Sequence, residues 1–269
     1  MPRARLFWVQ LAFTLVVCAF LIVPVGMSIL AGLTQNYFIG VASGLTLDWV
    51  IKVWTDYRHT VFLSVQIALA CLVCTILLGV PAAYVLARKQ NAFTRAIEEL
   101  LVMPVAVPGL ATALALIVTF GGWGEFRKSW LFILVGHVLF TLPFMVRSVL
   151  AVLASIDLAT LEEGARSLGA SFRQRFFDIV LPNCRAGIVA GSLMVVTLSL
   201  GEFNMSLLLH TPLTPTLPVG LADAYASLRL EIGSAYTVIF FVIIIPLLVL
   251  MQWASTPPQA RRTPGEARR

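Results

Sequence analysis

The chain has 269 residues, 59% of them hydrophobic and 12% charged, with a formal net charge of +6 and a mean hydropathy of +0.92. A soluble globular domain carries about 25% charged residues, so there are too few here to cover a water-soluble fold. Composition excludes a soluble enzyme, a disordered scaffold and a nucleic-acid module, and the basic balance reads as membrane topology.

Six apolar blocks follow one another: Leu6–Ala31, His59–Ala87, Leu100–Phe120, Trp130–Leu153, Ala186–His210 and Ile232–Trp253. Each meets the roughly 20 residues needed to cross a hydrocarbon core of about 30 Å. Backbone polar groups find no water there, so the blocks are predicted to be α-helices, and the alternation of a barrel strand is absent. The first block is too long for a signal-peptide core and lacks a small-x-small cleavage site, so it reads as retained. A long connection with few charges, Gly32–Arg58, leads to the second block. There Cys71-x-x-Cys74 has no flanking His or charge and reads as buried small hydrophobes. In the third block, Pro104, Pro108 and Gly109 loosen the helix and free carbonyls, either as a packing kink or beside a water-lined path. After the short Gly121–Ser129 comes the fourth block, whose His137 reads as an interhelical hydrogen-bonding residue.

The fifth block carries Glu202. An intramembrane carboxylate costs at least about 2.5–3.5 kcal/mol on insertion scales, so it should face the bundle interior. It is either a pathway residue meeting a cationic group or a structural carboxylate bonded to helix ends or to Asn204. The connection Thr211–Glu231 holds three prolines and the polar run Asp223–Arg229. Residues 254–269, rich in Pro and Arg, read as a disordered cytoplasmic tail after one transmembrane domain spanning 1–253. With the N-terminus placed in the cytoplasm, 14 of the 19 Lys and Arg fall on that side; the other five are Lys52, Arg58, Arg127, Lys128 and Arg229. The asymmetry predicts a multi-pass protein with both termini cytoplasmic. It also assigns the basic excess to loops lying against membrane lipid.

The segment Ser155–Pro182 describes two short helices meeting at a corner. Asp157 caps the first, Thr160-x-x-Glu163 offers a second capping box, and Gly169 sits where a left-handed residue ends a helix. Ser171-x-x-Gln174 then opens a second helix, which Pro182 is expected to terminate. Phe172, Phe176 and Ile179 recur along it at helical spacing.

Glu163-Gly-Ala165, Gly169 and Ile179-x-Leu181-Pro182 resemble the EAA motif (E-A-A-x3-G-x9-I-x-L-P) of binding-protein-dependent ABC importer permeases. Every spacing fits, with Gly164 where Ala is usual. Six spans with this loop before the last two resemble a type I importer permease, so the resemblance covers nearly the whole chain. It implies an all-α, six-helix permease of the bacterial inner membrane. Its coupling loop, 155–183, rests in a cleft of a cytoplasmic ATPase. Glu163, Ala165 and Gly169 would fix the loop's shape, and Leu168, Ala170 and Phe172 are candidates for the docking face. Met103-Pro-Val-Ala-Val-Pro-Gly109, Leu200-Gly-Glu-Phe203 and Thr216-Leu-Pro-Val-Gly-Leu221 resemble a branch that moves polyamines, ferric iron, sulfate or molybdate, and aminoethylphosphonate.

The implied partners are two ATP-binding cassette subunits, which bind ATP and Mg, a second permease chain, with a heterodimer favoured, and a periplasmic or lipoprotein binding protein. That protein would dock near Asp223, Tyr225 and Arg229, which otherwise form a solvated loop. Within this sequence no G-x-x-x-x-G-K-[ST] occurs, so ATP must be bound by a partner. Nor is there an HExxH or a nucleophile elbow, and no metal site is expected. Glu202 and the branch motifs tilt the expected solute towards an amine-bearing or cationic one, such as a polyamine or aminoethylphosphonate, or ferric iron. An ion-coupled secondary transporter is the alternative, although it would need coupling residues in symmetric halves. A polytopic membrane enzyme would need clustered catalytic groups.

Overall fold

A computed structural model describes residues 2–89 and 91–255. Among them the architecture is helical, broken by one isolated bridge between Thr34 and Leu45. α1 (Pro2–Ala31) and α2 (Asp48–Arg88) flank a connection with a 3₁₀ turn at Gly40–Ser43. α3 (Ala92–Ala106), α4 (Gly109–Phe120), the short α5 (Gly124–Lys128) and α6 (Trp130–Ala154) follow. α7 (Leu158–Ser167) leads to a helical stretch built from α8 (Phe172–Gln174), a π-helical segment (Arg175–Val180) and α9 (Leu181–Asn183). The chain continues with α10 (Arg185–Gly201), α11 (Asn204–Leu209), α12 (Leu217–Ala226) and α13 (Leu230–Ser255).

Among the described residues four helices are long and apolar enough to span: Leu6–Ala31, Asp48–Arg88, Trp130–Ala154 and Leu230–Trp253; with each of two bent pairs taken as one span the number is six. The protein is therefore an all-α polytopic fold, with boundaries that differ from the hydropathy blocks for identifiable reasons. The second helix starts at Asp48, eleven residues before the apolar run, so the expected loop Gly32–Arg58 is helical from Asp48 onward. The third block is not one helix: α3 and α4 meet at 101°. Pro108 disfavours helical backbone at the preceding residue, and Val107 is extended (φ −85°, ψ 132°). Pro104, by contrast, stays inside α3. The fifth block ends early, because Glu202 is extended (φ −73°, ψ 105°) and α11 starts anew two residues later. The connection Thr211–Glu231 contains α12 rather than being all loop. The expected tail lies, from residue 256 on, outside the described residues.

The described backbone packs as two compact units, 2–59 with 220–243 and 60–219 with 244–255. In the first, the end of α1 approaches the start of α13 so closely that a Cβ on Gly32 would fall 2.6 Å from the Ser234 carbonyl. In the second, α6 is the central helix: Phe132, Ile133, Met145, Val149 and Leu153 are at most 1% exposed. α10 lies against it through Gly187-x-x-x-Gly191. A Cβ at Gly187 would meet the Ser148 carbonyl oxygen at 2.5 Å, and one at Gly191 the Met145 sulfur at 2.8 Å. Small residues four apart let membrane helices approach where no hydrophobic force draws them together.

Candidate functional site

The elbow forms through the local chemistry of its caps. Asp157 accepts from the Thr160 N–H at 3.2 Å and the Thr160 hydroxyl at 2.7 Å. These bonds hold its carboxyl below the usual carboxylate range. With Thr160 committed to Asp157, the alternative box to Glu163 is not the one used. α7 ends at a corner where Ala170 N–H reaches back to the Ala165 carbonyl at 3.0 Å and Gly169 takes φ +83°, a conformation that costs a residue with a Cβ about 1–2 kcal/mol. Ser171 and Gln174 then make the capping box, the Gln174 N–H donating to Ser171 Oγ and Ser171 N–H to Gln174 Oε1.

Pro182 does not terminate the second helix. It lacks the N–H that would bond back along the helix, and the turn before it widens into the π segment, with Leu181 N–H bonding to the Phe176 carbonyl. The Asn183 side chain donates to the Ile179 carbonyl at 2.7 Å. The turn comes at Cys184, where the stretch meets α10 at 66°.

What fixes the elbow to the bundle is Glu162, a residue outside the EAA spacing that singles out its neighbour Glu163. The Glu162 side chain is 4% exposed, whereas Glu163 is exposed. Tyr84 on α2 donates its hydroxyl to Glu162 Oε1 at 2.6 Å, a length typical of a charge-assisted bond. Arg88 Nε lies 3.3 Å from Oε2, and Arg175 Nη1 lies 3.9 Å from Oε1. Arg175 Nε is itself buried without a hydrogen-bond partner among the described residues. A buried carboxylate is tolerated when paired and hydrogen-bonded, so α2, α7 and the π segment are joined at one point. Phe176 stacks edge-on to Tyr84 at 5.4 Å and Phe172 lies 6.2 Å from it. The signal was present: Glu162 follows the buried Leu158 by four residues, on the same helical face.

The expected docking residues divide. Leu168 is 90% exposed at the tip and Phe172 56% exposed, while Ala165 and Ala170 are half-buried against the corner. Gly164 and Gly169 are open, and a Cβ added at either would have no atom within 4 Å. Leu181 is half-buried and Pro182 exposed.

A second group forms where the two helix breaks meet. A Cβ on Gly109, next to Pro108, would lie 3.4 Å from Asn204 Cβ and 3.5 Å from Glu202 Oε1. Pro108, Glu202 and Asn204 are thus neighbours, and Pro104 stays in α3. Glu202 Oε1 accepts the Met205 N–H at 2.8 Å, a carboxylate at the positive end of a helix. At the other end of α11, Arg127 donates to the Leu209 and Leu208 carbonyls at 2.8 and 3.2 Å. His137, fully buried, bonds Ser199 through Nδ1 and Ser206 through Nε2, both at 2.9 Å. It clasps the chain on both sides of the break.

In the other unit, Asp223, Tyr225 and Arg229 are joined to internal partners. Arg229 meets Asp223 Oδ2 at 2.8 Å and donates to the Tyr57 hydroxyl at 2.9 Å. Tyr225 bonds Ser234 at 3.1 Å. They lock the α12–α13 turn, where Leu228 has φ +57° and is 82% exposed. Among the described residues no group of three His, Cys, Asp or Glu could hold a metal.

Residues 75–256 match the family described as binding-protein-dependent transport system inner membrane component. The sulfate transport system permease protein CysW of Synechocystis sp. is 28% identical over 73% of this chain and 76% of its own length. The molybdenum transport system permease protein ModB of Mycobacterium bovis is 28% identical over 81% and 88%. The molybdate/tungstate transport system permease protein WtpB of Pyrococcus furiosus is 28% identical over 66% and 70%. Among solved structures, a bacterial alginate ABC transporter in complex with an alginate-bound periplasmic protein superimposes with a TM-score of 0.71 at 17% identity over 97% of each chain. The MetNI methionine ABC transporter gives 0.60 at 16% identity, over 76% of this chain and 94% of that one. With the elbow, the bent spans and more than half of the chain matched, this protein belongs to the family of inner-membrane components of binding-protein-dependent transport systems.

Proposed function

We propose that the chain is the permease subunit of an ATP-driven importer for a tetrahedral oxyanion of the sulfate or molybdate class. The observation that carries the substrate class is the set of relatives: sulfate, molybdenum and molybdate/tungstate permeases. The expected tilt towards polyamine, aminoethylphosphonate or ferric iron is withdrawn, since none of these relatives bears such a name. Its physical ground is also weak, because Glu202 already accepts the Met205 N–H and so has an occupation other than a cationic solute.

In this reading a second permease chain, paralogous rather than identical, completes the pathway around the meeting of the two breaks. A loaded binding protein docks on the outer face by Asp223, Tyr225 and Arg229. Two ATPase subunits, carrying ATP and Mg, grip the elbows at Leu168 and Phe172 on the cytoplasmic side. ATP-driven closure of the ATPase pair biases a two-state switch of the spans, and the Glu162 cluster passes elbow movement to α2. Family membership takes the place of the ion-coupled alternative. The experiment is purification with the native partners, followed by ATPase assay with the binding protein loaded in turn with sulfate, molybdate and spermidine. Stimulation by an oxyanion alone is expected. Stimulation by spermidine alone would restore the cationic reading.

A further inference from the structure

An apolar groove of about 470 Å³ opens on the elbow beside Tyr84, within the range of about 300–1,000 Å³ common for small-molecule sites. Val85, Phe172, Phe176 and Phe177 wall it, Arg88 and Lys89 rim it, and among the described residues no carboxylate lines it. The neighbouring cleft is different: Arg88, Arg166 and Arg175 face Glu162 and Glu163 there, so its charge is largely met from within. The groove's cations follow the apolar run of α2, Arg88 being the last residue of the helix and Lys89 the next. Basic residues that directly follow an apolar run on the cytoplasmic side are the ones that meet anionic headgroups. Arg88 commits Nε to Glu162 and Nη1 to the Tyr84 hydroxyl, each at 3.3 Å, and a guanidinium has five N–H donors. Phe172 and Phe177 are 56% and 53% exposed, so each offers apolar surface that an acyl chain can cover. Basic pockets between spanning helices are places where acidic lipid headgroups settle.

We propose that this groove holds one anionic phospholipid, its phosphate against Arg88 and Lys89 and an acyl chain along Val85, Phe176 and Phe177. The cationic rim selects the headgroup charge and the aromatic floor takes the chain. The lipid then packs against the same Tyr84 and Arg88 that hold Glu162.

The test uses the whole transporter complex in nanodiscs of phosphatidylcholine containing phosphatidylglycerol, with retained lipid counted by native mass spectrometry. The wild type is expected to retain phosphatidylglycerol in preference to phosphatidylcholine. Lys89→Gln should weaken that preference about fivefold, the share of one basic residue at an anionic surface. Phe177→Ser should lower retention of both lipids. Thermal stability of each variant identifies any that misfold, and each variant carries the inference without the other. Equal retention of both lipids by the wild type, or unchanged retention in the well-folded variants, would overturn the proposal. So would hydrogen-exchange protection of Phe176 and Phe177, beyond the ATPase contact at Phe172, that arises from the ATPase subunits in lipid-free detergent, which would give the groove to a protein.

Discussion

Two carboxylates of this protein, Glu162 and Glu202, solve the same problem in opposite ways. Glu162 is buried on the elbow between Arg88, Arg175 and the Tyr84 hydroxyl, whereas Glu202 is half-buried at a helix break and accepts a backbone N–H. The first joins three separate elements through full charges, and the second caps the helix that follows it in the chain. A charge held by distant partners ties parts of the fold together; a charge held by its own next turn shapes the backbone locally. The elbow is therefore tied to the bundle by partners distant in the chain, and the break at Glu202 owes its geometry to further clasps, His137 foremost.

The largest effect should come from Glu162→Ala. Removing one member of a buried pair costs about 3–5 kcal/mol, and Arg88, 44% exposed, puts this case at about 3. Thermal unfolding in detergent should show the loss. Coupling of ATP hydrolysis to uptake should fall with it, while Glu163→Ala leaves stability nearly unchanged. If the two variants behaved alike, the contrast between buried and exposed carboxylate would be wrong. His137→Ala comes next. It strips two buried serines of their partner, a loss of about 1–3 kcal/mol per orphaned group in water-soluble proteins and nearer 0.6 for interhelical bonds in lipid. A net cost of about 1–2 kcal/mol is expected in the same unfolding assay, recovered in part by His137→Gln.

These elements were unequally legible in the amino-acid order. The caps at Asp157, Ser171 and Gln174 and the left-handed Gly169 could be read directly, because each depends on neighbours within four residues. The spans were legible as apolar runs, but their ends were not. Helix α2 begins with Asp48 and Trp49, outside any apolar block, and only tertiary context extends it there. Pro104 and Pro108 look alike in sequence; Pro108 breaks the helix and Pro104 does not. Glu162 and Glu163 are adjacent carboxylates whose difference is one of helical phase, set by where Leu158 and Tyr84 pack. The His137 clasp needed the positions of Ser199 and Ser206, more than 60 residues away.

Gly169→Ala must place a Cβ at φ +83°, a cost of about 1 kcal/mol. It should reduce binding-protein-stimulated ATPase activity more than it reduces expression, because the strain is confined to the corner. Glu202→Gln is the mildest. The amide oxygen can still accept the Met205 N–H, so less than about 0.5 kcal/mol should be lost, with uptake of an oxyanion retained. Loss of uptake with a normal unfolding temperature would show that the charge itself serves the pathway.

In the proposed assembly the exposed tip of the elbow is the ATPase contact. It is tested most directly by maleimide labelling of Leu168→Cys in a Cys18→Ser background, with and without the ATPase subunits bound. Leu168 is 90% exposed in the isolated chain, so rapid labelling alone and strong protection in the complex are expected. Equal labelling in both states would contradict the account.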